Sequence, residues 1–319
     1  MFRRPDQISY PLYAVTALFN SARYRSRWKL HDDFELMCER AGVPLYSVEV
    51  AFGDRQHVLA PGPQHILLRT WDEWFMKENA INIGVQHLTR DHPEWQAVAW
   101  LDNDIHFARY DWQNETVHRL QHHPVVQMWS HATPLDINHE PQGGRMSIAE
   151  RWQEFGEDMW TPKVMRHYKV GGWGLAWAAR REWWDGAGGL IDFCVTGGGD
   201  WFMGHAMFGN IERPLREWRY SPGYREALER WQDRLEDTQW RERPLVKNVG
   251  VVPGTVFHYY HGSVEGRQYK SRAKVLQEAQ FDPQRDLKRN AEGLWQLADG
   301  NPKLRRGLQH YFATRNEDG

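Results

Sequence analysis

The chain has 319 residues, 41% hydrophobic and 26% charged, and its 40 Lys and Arg against 42 Asp and Glu leave a net charge of -2. That is the composition of a globular protein with one large or two modest cores, and it excludes a global positive field for nucleic acid, so a polyanion site would have to be a local patch. No apolar run reaches the roughly 18 residues that cross a bilayer, the opening MFRRPDQISYPLYAV lacks a signal-type apolar stretch, and Cys38 and Cys194 alone support neither a disulfide framework nor a thiolate zinc site, so the expectation is a soluble, cytoplasmic protein without redox chemistry.

Residues 14–19 (AVTALF) read as a buried strand that stops at Asn20-Ser21, a pair suited to capping a helix, and the helix that follows carries Phe34, Met37 and Cys38 at helical spacing. Gly42-Val43-Pro44 ends it. Residues 45–51 (LYSVEVA) form a second strand before a Gly53-Asp54 turn, and 65–68 a short third. A helix over 72–88 follows, with Trp74, Ile81, Val85 and Leu88 as its apolar stripe. Residues 97–101 (AVAWL) are the next strand, ending on Asp102-Asn103-Asp104. This alternation predicts an α/β protein with a mixed, mostly parallel sheet flanked by helices. Ligands of open sheets of this kind bind beyond the carboxyl ends of the strands, so the residues after AVTALF, YSVEVA and AVAWL are expected to face one crevice.

Further on, 125–130 (VVQMWS) reads as a strand and 134–146 as a polar loop. The stretch 171–177 (GGWGLAW), a helix around 180–185 and the Gly-rich run 196–199 ahead of Asp200-Trp201 look like a second half of the site. Residues 222–240 are a charged helix, 251–260 a strand, His261-Gly262 a turn, and the remainder a basic, mostly helical tail. The expected organisation is a catalytic domain over 1–270 with a helical C-terminal extension over 271–319.

Two carboxylates at i and i+2 after a buried strand suit a hard cation, because Mg²⁺ or Mn²⁺ uses one or two protein carboxylates and completes its shell with water and substrate phosphates. The plain alternative for Asp102-Asn103-Asp104 is an Asx turn. The 18 Trp and 16 His admit two uses as well, since Trp serves sugar and base faces or the core, and His serves metals or packing.

Taken in order, AVTALFN, AWLDND, GGGDW and the histidines of FHYYHG resemble the GT-A glycosyltransferases, with closest likeness to the galactosyltransferase and polypeptide N-acetylgalactosaminyltransferase-like branch and to a bacterial and bacteriophage group within it; the likeness spans residues 14–270. The resemblance implies a GT-A-like (Rossmann-like) fold and transfer of a sugar from a nucleotide-diphosphate sugar, a UDP-sugar being favoured, with Mn²⁺ or Mg²⁺ held by Asp104 and His261. Asp102 and Asn103 would lie at the ribose or donor sugar. Thr16, Ala17 and Asn20 would line the base, Arg23 or Arg27 the phosphates, and Glu49, Lys77, Asn79 and Asn82 the rest of the nucleotide. His258 rivals His261 as ligand; three residues apart on one strand, the two should point to opposite faces. Asp200 is the candidate base that deprotonates the acceptor hydroxyl; related proteins often carry two acidic residues there, and this chain has one. Gly198 and Gly199 would let the backbone approach a sugar, and Trp173 and Trp201 would offer it flat faces.

A metal between the phosphates stabilises the charge that develops on a nucleotide-diphosphate leaving group, so the chemistry agrees with the motif set. The acceptor is open between a hydroxymethylated pyrimidine in phage DNA and a cell-surface polysaccharide or glycolipid precursor. DNA would need a cationic surface, for which residues 213–219 and 267–274 with Lys303, Arg305 and Arg306 are the two candidates. A non-catalytic nucleotide-binding protein of the same shell would lack the metal ligands. A nucleotidyltransferase would want a Gly-rich phosphate loop after the first strand, which AVTALFNSARYRSR does not provide.

Overall fold

The computed structural model describes residues 10–20, 25–167, 172–260 and 272–314. In chain order, β1 (Leu12–Phe19), α1 (Arg25–Arg40), β2 (Leu45–Phe52), β3 (His65–Thr70), α2 (Lys77–Asp91) and β4 (Ala97–Leu101) follow the expected alternation. Next come β5 (Ile105–Phe107), α3 (Trp112–Arg119), β6 (Val125–Gln127), β7 (His131–Pro134), β8 (Arg145–Met146), α4 (Ile148–Phe155), a tight helical turn (Gly156–Trp160), α5 (Pro162–His167), β9 (Ala176–Arg180) and α6 (Arg181–Ala187). They are followed by α7 (Gly199–Met207), α8 (Glu212–Glu217), α9 (Pro222–Asp237), β10 (Gln239–Trp240), β11 (Arg243–Pro244), β12 (Val249–Val251) and β13 (Thr255–His258). The last described elements are α10 (Arg272–Glu278), α11 (Pro283–Asp286), β14 (Leu287–Arg289), β15 (Trp295–Leu297) and α12 (Pro302–Ala313).

Seven strands form the central sheet in the order β12-β6-β9-β4-β1-β2-β3. All share one direction except β9, which runs antiparallel to both β4 and β6. The expected mixed, mostly parallel sheet flanked by helices is therefore the observed architecture. Its middle strands are covered on both faces, which explains why AVAWL is apolar throughout. Tyr13, Val15, Val98, Trp100, Trp177 and Ala179 belong to the core on one face. Leu12, Ala14, Ala97, Ala99, Ala176 and Ala178 pack on the other, with Phe34, Met37 and Cys38 of α1. On the first face α2 approaches so closely that a Cβ on Gly84 would lie 2.4 Å from Val15 Cγ1 and 2.9 Å from Val48 Cγ2, which fixes a glycine at that helical position. Trp100 sits parallel to Trp177 and Trp183 at centroid distances of 6.3 and 5.7 Å, and Trp183 meets Trp231 edge-on. These tryptophans build the core, and Trp100 and Trp177 reach from it to the carboxyl edge of the sheet.

Three elements depart from expectation. The strand expected over 125–130 breaks off after Gln127 as β6, and residues 251–260 divide between two sheets: β12 stays in the central sheet beside β6, while β13 joins β5, β7 and β8 in a four-stranded sheet of order β5-β13-β7-β8. The second break falls at Pro253-Gly254, where proline cannot donate to a ladder and Gly254 has φ of 150°. The helix expected from residue 72 begins at Lys77; Trp74 is buried ahead of it, and Phe75 N donates to Val195 O at 3.0 Å. The strand β9 was read only as part of a glycine-containing stretch, since Ala-rich AWAAR carries no β signature of its own.

Beyond residue 271 the described chain holds α10, α11 and α12, with β14 and β15 forming a hairpin between α11 and α12. Leu276, Leu287, Leu294, Leu304 and Leu308 of this region share the core of the α2 face. Among the described residues no helix is long and apolar enough to cross a membrane.

Candidate functional site

The carboxyl ends of β1, β4, β6 and β12 lie along one edge of the sheet, and because β9 runs the opposite way, the Trp173-Gly174-Leu175 segment that precedes it arrives at the same edge. Asp102 N donates to Leu175 O at 2.8 Å, tying the end of β4 to that segment. Leu175 has φ of +74°, a costly backbone state for a residue with a branched side chain. The segment is held there by side chains, Trp129 Nε1 donating to Gly174 O at 3.2 Å and Trp177 Nε1 to Trp173 O at 2.7 Å.

A narrow pocket at this edge, with room for about one water molecule, is lined by Lys77, Glu78, Asp102, Gly174 and Asp200 above a floor of Trp100, Trp177 and Met203. Lys77 begins α2 and its Nζ lies 3.0 Å from Asp102 Oδ1 and 3.7 Å from Glu78 Oε1. Asp200 stands in the first turn of α7, whose entry needs Gly197 and Gly198 at φ of +83° and +92°. Two further glycines make room for carboxylates. A Cβ on Gly174 would fall 2.6 Å from Asp200 Oδ2, and one on Gly199 would fall 2.8 Å from Glu78 Cδ and 2.9 Å from its Oε1.

Burial opposes the charge of Lys77, yet Asp102, Glu78 and Asp200 outweigh it and hold the ammonium pKa above its usual value. Burial is also the largest influence on Glu78; with Asp200 and Asp102 adding to it against the pull of Lys77, its carboxyl is pushed up to about 7.

Asp104 lies at the start of the second sheet. Tyr259 N donates to Asp104 O at 2.9 Å, and His258 pairs in register with Ile105, which brings His258 Nε2 to 3.6 Å from Asp104 Oδ1. His258, the rival ligand in the sequence, is thus beside Asp104 because residues 251–260 are two strands rather than one. His261 and Arg23 lie outside the described residues. The carboxylate of Asp104 and the imidazole of His258 are a donor pair that suits Mn²⁺. Among the described residues no larger group of ligand side chains gathers, and Asp102 is engaged by Lys77.

The remaining expected residues divide. Phe19, at the end of β1, meets Phe75 edge-on at 5.2 Å and carries Arg27 5.8 Å from its ring centroid, so Arg27 is brought to the same strand end as half-buried Ala17 and Asn20. Thr16 points into the sheet, where its Oγ1 donates to Leu101 O at 2.8 Å, and is fully buried rather than lining a base pocket. Glu49 accepts from Val58 N and Leu59 N at 2.8 Å, pinning the loop after β2 instead of facing the crevice. Asn103 turns toward buried His31 on α1, at 3.5 Å.

Asn79 and Asn82 belong to a structural clamp. Asn79 Oδ1 accepts from Trp295 N at 2.9 Å, and Asn82 exchanges hydrogen bonds with the backbone of Leu190 at 2.9 and 3.0 Å. Asp192 joins both to the C-terminal hairpin, accepting from Asn82 Nδ2 (3.2 Å), Trp295 Nε1 (2.9 Å) and Arg289 (2.8 Å). Helical periodicity explains the difference, since Asn79 and Asn82 share a face that Lys77 does not. Trp173 stacks on His205 at 4.6 Å, and Trp201 meets the same imidazole edge-on at 5.5 Å. Trp173 is nearly buried; Trp201 is partly exposed. The sequence reading passed over Glu78, Gly174 and Phe75. Glu78 sits inside KENAIN, next to a lysine that was singled out, and its position at a helix start beside that lysine is the signal that marks it.

No family model and no curated protein sequence matches the chain. Among solved structures, the catalytic domain of a Drosophila β1,4-galactosyltransferase 7 in complex with xylobiose is 13% identical over 61% of this chain and 60% of that one, with a TM-score of 0.32. A mutant of that enzyme in complex with manganese, UDP-Gal and xylobiose is 12% identical over 82% and 98% of the two chains, with a TM-score of 0.33. A 4-diphosphocytidyl-2C-methyl-D-erythritol synthase from Anaerococcus prevotii is 13% identical over 76% and 87%, with a TM-score of 0.35. The chain spans less than two thirds of the first of these. At such identities and TM-scores the likenesses assign no activity to this protein.

Proposed function

We propose that the crevice binds a nucleotide-diphosphate sugar, UDP being the favoured nucleotide, and transfers its sugar to an acceptor hydroxyl. The observation that supports this reading is the meeting of Lys77, Asp102 and Asp200 in one pocket at the carboxyl edge of a mostly parallel sheet, with the Asp104–His258 pair beginning two residues after Asp102. Asp104 and His258 would hold Mn²⁺ or Mg²⁺, with His261 as a further ligand, and the metal would supply charge stabilisation at the diphosphate. Lys77, kept charged by its carboxylate neighbours, stands where it can add to that stabilisation. The Phe19–Phe75 pair with Arg27 offers a flat face and a cation for the nucleotide, and Asp102 a hydrogen-bond acceptor for ribose or donor sugar. Asp200, one residue before Trp201 and against Gly174, takes the proton of the acceptor hydroxyl.

For the acceptor we favour a carbohydrate over DNA on the arginines that can be described, residues 267–271 of the second basic stretch lying outside the described residues. In the 213–219 stretch Arg216 pairs with Glu212 at 3.4 Å, and Arg213 donates to Trp160 O at 3.1 Å while stacking on its ring. In the tail, Arg305 pairs with Asp72 at 3.0 Å. Paired arginines make a poor phosphate-tracking surface. The test is calorimetric titration with UDP, UDP-galactose, UDP-glucose and the corresponding guanosine and cytidine diphosphates, each with and without Mn²⁺. Metal-dependent binding of one nucleotide is expected; no binding across the panel by folded protein would overturn the transferase reading.

A further inference from the structure

Four charged groups meet in the narrow pocket: one ammonium, Lys77, and three carboxyls, Glu78, Asp102 and Asp200. They come from different elements, Lys77 and Glu78 from the start of α2, Asp102 from the end of β4 and Asp200 from the first turn of α7. Only Asp102 is in hydrogen-bond contact with the ammonium, at 3.0 Å, whereas Glu78 stands off at 3.7 Å. Glu78 is also the most enclosed of the carboxyls named in these pairs, its side chain 4% exposed against 24% for Asp102. Its carboxyl lies flat against the Cα of Gly199, where any side chain would collide with it. Arg272, at the start of α10, approaches the adjacent Gly198, and the buried Cys194 thiol lies behind. Three carboxyls thus crowd around Lys77, and the one that is both nearly buried and out of hydrogen-bond reach of the ammonium is Glu78, where a negative charge is costly and a bound proton relieves it.

We propose that Glu78 is the residue that keeps this proton, so that a neutral carboxyl rather than a carboxylate packs against Gly199 beside Lys77, Asp102 and Asp200. Glu78 is then a positioning residue: it holds its proton through the reaction, and the acceptor's proton goes to Asp200. Burial and the two aspartates raise its pKa to about 7. Deprotonation of Glu78 would set a negative charge close to Asp200 and draw Lys77 away from Asp102. The location of the proton follows from this pocket alone; its consequence for turnover rests on the transferase function proposed above.

Infrared difference spectroscopy of the full chain tests the location without any ligand. With ¹³C-labelled glutamate, wild type is expected to show an isotope-shifted carboxylic-acid band at about pH 6 that disappears between about pH 6 and 8, and Glu78→Gln is expected to lack that band. Absence of a glutamic-acid band in wild type at about pH 6, or its persistence unchanged in Glu78→Gln, overturns the proposal. Labelled wild type alone decides the first point if the variant fails to fold. The pH profile of UDP release from UDP-galactose with Mn²⁺ then reads the effect on Asp200: a fall of about 10-fold from about pH 6 to 8.5 in wild type, flattened to under about 2-fold in Glu78→Gln. Identical profiles overturn the positioning role. A wild type that shows the band but neither binds nucleotide nor turns over would sink the transferase reading and leave the proton on Glu78 established.

Discussion

The substitution that most directly tests the assignment of Asp200 is made at a residue with no chemistry of its own. In Gly174→Ala the new Cβ would stand 2.6 Å from Asp200 Oδ2, 3.4 Å from its Cγ and 3.5 Å from its Cβ. An ordinary contact needs about 3.4 Å or more, so the carboxyl oxygen must give way by about 0.8 Å. It cannot do so freely, because its other oxygen accepts from Trp201 N at 2.9 Å. Misplacement of a reacting group by about 1 Å costs on the order of 100-fold in rate, or about 2.7 kcal/mol of barrier. Gly174→Ala is therefore expected to lower turnover of the bound nucleotide sugar by roughly 10- to 100-fold, while calorimetric donor binding, for which Asp104 and His258 are the proposed residues, is kept. The decisive form of the assay is a double-mutant cycle with Asp200→Ala, in which the alanine at 174 should add almost nothing once the carboxyl is gone. Full activity in Gly174→Ala, or the same factor of loss in both backgrounds, would refute the placement of Asp200 at the reacting hydroxyl.

Asp104→Ala and His258→Ala are each expected to weaken Mn²⁺-dependent UDP binding by at least about 10-fold with unchanged far-UV circular dichroism; equal affinity with and without Mn²⁺ in wild type would contradict the metal pair. Glu78, with a folded pKa raised from 4.5 to about 7, contributes stability that is present below about pH 4.5 and lost as pH rises through about 7, so wild type should lose about 2–3 kcal/mol between about pH 5 and 8 relative to Glu78→Gln. Denaturant midpoints at the two pH values measure it, and Lys77, whose pKa is raised from an already basic value, stays charged throughout that window; parallel pH dependence in the two proteins would contradict it. Asp192→Ala leaves Trp295 Nε1 without its acceptor and removes one bond each from Asn82 and Arg289, and is expected to destabilise by about 2–4 kcal/mol, with the C-terminal hairpin becoming the first site of limited proteolysis; an unchanged cleavage pattern would show that the hairpin is held elsewhere.

The legible parts of this fold are those where local pattern and global role agree. AVAWL is a strand in isolation and in the sheet, and Phe34, Met37 and Cys38 mark a helical face that is in fact buried. Where the chain passes from one sheet to another, pattern fails: residues 251–260 (VVPGTVFHYY) are rich in β-branched and aromatic residues on both sides of Pro253-Gly254, and that break decides that β13 leaves the central sheet to pair with β5. The metal assignment turned on it, because it is the pairing of His258 with Ile105 that sets its imidazole near Asp104. Asn79 and Asn82 show the opposite failure. Their residue types suit a nucleotide, but their partners, Leu190, Asp192 and the hairpin of β14 and β15, lie more than a hundred residues away in sequence, and no local signal announces them.

The antiparallel strand β9 is what assembles the site. Had the chain continued through that position in the direction of its neighbours, the segment before it would have arrived at the amino ends of β4 and β6, on the far side of the sheet from Asp102. By reversing, it delivers Gly174 and Leu175 to the carboxyl ends, where Asp102 N can bond Leu175 O and where the missing side chain of Gly174 leaves space for Asp200. The strained backbone of Leu175 is the local cost of that turn, and the hydrogen bonds from Trp129 and Trp177 hold the segment in it. The same geometry accounts for the two glycines that face carboxyls. Gly174 leaves room for the carboxyl of Asp200 and Gly199 for that of Glu78, each at a point where a methyl group would meet a carboxyl oxygen, so both carboxyls sit where they do because a side chain is missing.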